Sequence, residues 1–153
     1  MSGRAVRETL GFLAVVAGLV FVGVEIRQNN SLARGQARQA LADMSQDWLL
    51  TITQDPEYYE LWSRAWVACD ELAGNEGSRA TLMMIEQIRR IENVFFQYSE
   101  GLVDESALAS YGGAREAPHF RCPRFSDFWD SWRDNFDGAF VEFFDRSLGR
   151  DGP

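Results

Sequence analysis

"GFLAVVAGLVFVGVEIRQNNSLARGQARQA", Gly11–Ala40, is apolar as far as Val24 and then turns at once into Glu25, Arg27, Gln28, Asn29 and Asn30. Such a stretch spans a bilayer, is cut away as a signal, or lies in a core. Sixteen uncharged residues separate Glu8 from Glu25, somewhat fewer than the roughly twenty of a typical helical span. Arg7 and Arg27, however, would stand about 30 Å apart on a helix, so both reach headgroups while residues 9–24 fill the hydrocarbon. A signal peptide needs a small-x-small cleavage site after its apolar run, which "FVGVEIRQNN" does not offer. A soluble core helix carries an apolar stripe, whereas this segment is apolar on every face. The expectation is an uncleaved transmembrane helix over 9–27, preceded by a tail, 1–8, and followed by a helical domain, 28–150.

Charge sets the expected orientation. Arg27, Arg34 and Arg38 follow the span with no acid between Ile26 and Ala42, against Arg4 and Arg7 before it. Positive-inside counting tilts the domain to the cytoplasm by one arginine, a margin the N-terminal amine narrows. Within the span Gly11, Ala14 and Gly18 fall near one face, and Ala14 with Gly18 makes a small-xxx-small pair that permits close helix contact. Membrane helices are rich in glycine and alanine without any such role. The collar Glu25, Arg27, Gln28 and Asn29 is the set to single out for function, because polar groups at a membrane boundary dock a partner or a lipid headgroup. Its blander role is to fix the helix at the interface.

The remaining composition excludes several classes of function. Residues 1–40 hold five Arg against two Glu, a net of +3, so the rest of the chain carries −11 of the total −8. An acidic body repels phosphate, and nucleic acid is not an expected partner. The chain has no lysine, which removes Schiff-base chemistry and the lysine of a phosphate-binding loop. Cys69 and Cys122 lack C-x-x-C spacing and are too few for a disulfide framework; they suit a reducing compartment or a single optional bridge.

Beyond the span the pattern is helix after helix. No proline intervenes between Ile26 and Thr53, and Leu32, Gln36, Gln39, Met44, Trp48 and Ile52 keep a helical rhythm, so the anchor continues as a stalk. Asp55, Pro56 and Glu57 read as N-cap, first-position proline and first-turn acid of a second helix, which carries Tyr59, Trp62 and Trp66 inward and ends at Gly74. Asn75 caps the next, whose stripe Met84, Ile88, Ile91, Phe95, Tyr98, Leu102 recurs at steps of three and four. Opposite lie Glu86, Arg89, Arg90, Asn93 and Gln97, with Glu92 at the flank of the stripe, where a carboxylate wants an arginine or amide. Gly101 stops this helix, Asp104 caps a short one to Tyr111, and "GGAREAPHFRCP" marks a break. From Pro123 a final pair buries Phe125, Phe128, Trp129, Trp132, Phe136, Phe140, Phe143 and Phe144, with Asp127, Asp130, Asp134, Glu142 and Asp145 facing out. That outer face is acidic, unlike the basic face of a helix lying on a membrane.

An apolar N-terminal helix running into "VGVEIRQNN", followed by "RRIENVFFQYSEGLVDES" and a terminal "FWDSWRDNFDGAFVEFFDR", resembles a widespread group of uncharacterised bacterial proteins with one N-terminal membrane helix and a small helical domain. The resemblance covers most of the chain and implies architecture and bacterial origin, hence an inner-membrane, single-pass location, but no reaction. Gly112 and Gly113 depart from it, since a more regular helix is expected there.

Reactive side chains are few. His119 and Cys122 form an H-x-x-C pair, and Cys69 would make a third metal ligand, yet zinc sites usually want four protein ligands or three in a prepared geometry with water. A nucleophilic Cys69 or Cys122 needs His119 as base and an orienting acid, and no spacing places them together. The reading is therefore all-α: a transmembrane helix continuing into a bundle of four to five helices. Its function is that of a membrane-anchored interaction or accessory module, with no catalytic residue, metal or cofactor expected. Its partners are the bilayer and a membrane protein or a second copy. The alternative is a membrane-tethered enzyme using Cys69, Cys122 or His119.

Overall fold

The computed structural model describes residues 3–112 and 117–150. Among them there is no strand, and six α-helices run in order: α1 Gly3–Gln54, α2 Pro56–Trp62, α3 Gly74–Ser99, α4 Glu105–Gly112, α5 Pro123–Trp132 and α6 Gly138–Leu148. Two compact units meet at the Ala37–Arg38 bond.

In the first unit the apolar run is helical throughout, the one conformation that satisfies every N–H and C=O within a single segment and so the one compatible with hydrocarbon. Its side chains are exposed along the whole run, from Leu10, Phe12 and Leu13 to Val24 and Ile26, and the most apolar window of the helix buries none of its residues. A helix that turns Leu, Val and Phe outward on all sides is compatible with membrane anchoring.

The second unit is built around aromatic rings. Trp66, Met84, Ile88, Val94, Trp129, Phe140 and Phe144 are fully buried. Phe144 meets Trp129 edge-on at 4.9 Å between centroids and stacks on Phe140 at 5.4 Å, and Phe125 packs on both Phe128 and Phe144. The two fully buried tryptophans have their indole N–H groups satisfied, Trp66 donating to the Ala80 carbonyl at 3.1 Å and Trp129 to Asp145 Oδ1 at 2.7 Å, whereas the Trp48 Nε1 is buried without a hydrogen-bond partner. Two expected caps form, Asp55 Oδ1 accepting from the Tyr58 N–H and Asp104 from that of Ala107, and Asp137, which sequence reasoning did not single out, accepts from the N–H groups of Ala139 and Phe140.

Several expectations change. The second helix does not reach Gly74: α2 passes into a π-helical turn, Ser63–Val67, and the chain breaks before Gly74 opens α3. Ala73, not Asn75, is the N-cap, without a side-chain bond. Tyr59 is exposed, because the buried face of α2 runs through Leu61 and Trp62. In α3 Val94 replaces Tyr98 on the buried face, and Tyr98 is exposed. Asp145 does not face out: it is 8% exposed, held by Trp129 and by Arg133 at 2.7 Å. α4 ends at Gly112; the expected departure at Gly113 lies outside the described residues.

Candidate functional site

The collar is placed by α1 itself. Glu25, Arg27, Gln28 and Asn29 are all exposed, but they do not form one patch. At 100° per residue Glu25, Gln28 and Asn29 share a side of the helix, while Arg27 lies across from them. Gly11, Ala14 and Gly18 fall on the same line as Glu25 and Asn29, so a strip of small residues runs into a polar end. These small residues are exposed too, and a Cβ added at Gly11 or Gly18 would meet nothing within 4 Å.

The helical body carries a groove of about 780 Å³ that sequence reasoning missed. Asp43, Met44, Asp47 and Trp48 of α1 form one wall, Tyr58 another, and Glu86 and Arg90 of α3 the third. Arg90 donates to the Met44 carbonyl at 2.7 Å and to Glu86 at 3.4 Å, and lies 5.2 Å over the Trp48 ring. It was expected on a solvated arc; instead its side chain is only 14% exposed and joins α3 to α1. Burial and the Glu86 carboxylate push the Tyr58 hydroxyl above its usual pKa, with Arg90 pulling the other way. Three carboxylates face one guanidinium already in use, so the groove favours cations over phosphate. One signal was available beforehand: Asp43 and Asp47 stand four apart, a like-charge pair that weakens a helix and so needs another reason.

Glu92 is buried at 6% exposure. Arg89 pairs with it at 2.6 Å, and its other oxygen accepts from the Asp137 N–H at 3.1 Å, at the start of α6. The expected arginine partner is there, and the carboxylate also sits where the α6 dipole favours negative charge.

Cys69 and Cys122 are joined as a disulfide, with 5.7 Å between Cα atoms, so in this state neither sulfur is a thiolate nucleophile or metal ligand. His119 stacks edge-on against Phe120 and Trp62, at 4.2 and 5.4 Å between centroids. Its Nε2 is buried with no hydrogen-bond partner, and burial pushes its pKa down to about 4. Among the described residues no three His, Cys, Asp or Glu side chains are grouped to hold a metal ion. Comparison of the chain with protein-family models, with curated proteins and with solved structures found no match.

Proposed function

We propose that this chain is a membrane-anchored interaction or accessory module of a bacterial inner membrane, in which the collar and the small-residue strip contact a membrane protein or a second copy. The observation that carries this reading is the apolar helix with every side chain turned outward and a polar end on one of its lines. Polar groups at the bilayer surface contact a partner directly, and changing them leaves the distant core untouched.

The test is crosslinking in the native membrane. Replacing Arg27, Gln28 and Asn29 together by Ala is expected to weaken capture of one reproducible neighbour at least several-fold, with circular dichroism of the purified protein unchanged. Undiminished capture removes the collar from the interaction. Absence of any reproducible neighbour, including a second copy, ends the module reading.

Two orientations of the body follow from different observations. The arginine count favours the cytoplasm by one residue. The disulfide favours the oxidising side, since cytosolic thiols are kept reduced except where they are catalytic or redox-sensing. A membrane-impermeant thiol reagent, applied to cells after reduction, labels Cys69 in the second orientation and not in the first.

A further inference from the structure

We propose that the Cys69–Cys122 pair is a thiol–disulfide exchange site, in which Cys69 is the sulfur attacked from solvent and Cys122 is the leaving thiol. The pair is built asymmetrically. Cys122 is 3% exposed and packed in the core. Cys69 is only partly buried and lines an open groove of about 630 Å³ together with Asp70, Leu72, Pro123 and Arg124. An exchanging thiolate needs an approach to one sulfur, and only Cys69 has it.

Backbone geometry singles out the same residue. Cys69 is the only non-glycine residue with positive φ among the described residues, at 62°. A side chain held in the left-handed region is a feature that the surroundings must impose, and such residues concentrate at functional sites.

The surroundings do impose it, and without help from the sulfur bond. The Asp70 N–H donates to the Arg64 carbonyl at 2.8 Å, Arg124 donates to the Asp70 carbonyl at 3.2 Å, and Arg64 lies 3.6 Å from the Asp70 carboxylate. Gly77 lets the loop approach closely: a Cβ there would stand 2.8 Å from the Leu72 oxygen. The loop therefore stays in place when the bond opens, and the pair can close again. On the other side Cys122 is the N-cap of α5, where the positive end of the helix dipole favours a thiolate.

The step balances with a dithiol as reductant. One thiolate of the dithiol bonds to Cys69 Sγ, the Cys69–Cys122 bond breaks, and Cys122 leaves with the electron pair and takes a proton. The second thiol of the dithiol then attacks its own sulfur in the mixed disulfide and releases Cys69. The dithiol is oxidised, and the pair has gained two electrons and two protons.

The test uses the full chain in detergent micelles at pH 7.5. Dithiothreitol without denaturant is expected to reduce the pair, with helical circular dichroism retained and the bond re-formed after its removal; reduction that requires denaturant overturns the proposal. Glutathione followed by rapid alkylation is expected to leave its adduct on Cys69 in peptide mass mapping, and an adduct on Cys122 overturns it. With Cys122→Ser and Cys69→Ser, the remaining Cys69 thiol is expected to react with dithiodipyridine at least tenfold faster than the remaining Cys122 thiol. Equal rates in folded variants overturn the proposal, and the wild-type mapping decides the matter if either variant unfolds.

Discussion

Glu92 shows at the level of one residue how a carboxylate on an apolar stripe becomes a joint between helices. Removing it as Glu92→Ala leaves the Arg89 guanidinium and the Asp137 N–H without their partner, and is expected to cost about 3 kcal/mol in urea unfolding of the body. Glu92→Gln, which can still accept from Asp137, is expected to cost less; equal costs would mean that the charge is irrelevant. His119 acts through pH. Its pKa in the folded chain is about 4 against about 6.5 unfolded, so protons bind preferentially to the unfolded state between these values. Stability is therefore unaffected above about pH 6.5 and falls as the pH drops towards 4, by at most about 3 kcal/mol. His119→Phe is expected to remove that part of the slope, and identical pH profiles for the two chains would show that His119 is not held neutral.

At the level of elements, α3 decides the body. Ile91 is 3% exposed and Leu82 65%, so Ile91→Ala is expected to cost about 2 to 5 kcal/mol and Leu82→Ala under about 0.5. Arg90→Ala belongs with the larger group, because it frees the Met44 carbonyl and uncovers Trp48. A cost for Arg90 as small as that for Leu82 would remove the contact between α3 and the 38–54 part of α1. Phe96, which the helical rhythm directs away from the stripe, is 40% exposed, so the helix has one buried face and is not enclosed all round.

For the whole molecule, the first unit carries the apolar helix and the second carries the aromatic core. The full chain is expected to pellet with membranes and resist carbonate extraction, whereas a chain beginning at Arg38 is expected to be soluble and helical. A full chain that stays in solution without detergent would remove the anchor. The body's core, by contrast, closes on itself through Trp66, Trp129, Phe140 and Phe144, none of which belongs to the first unit.

Local physics made much of this legible in the sequence. The apolar run of 9–24, the Asp55–Pro56 and Asp104 caps and the aromatic periodicity of 123–144 each depend on neighbours within a turn or two, so they survive without knowledge of the rest of the chain. The all-α class followed from them. Only tertiary packing decided the features that join distant segments: the groove between 43–48 and 86–90, the burial of Asp145 by Trp129 and Arg133, and the meeting of Cys69 with Cys122 across 53 residues. A charged residue looks the same in sequence whether water or a buried indole satisfies it, because the partner is supplied by another helix and not by the local repeat. The same reason turned Arg90 from an expected solvated group into a contact between helices, and made the end of α2 unreadable: its π-helical turn passes into a loop that Arg124 contacts from a distant segment through the Asp70 carbonyl, with no glycine or proline of its own to mark it.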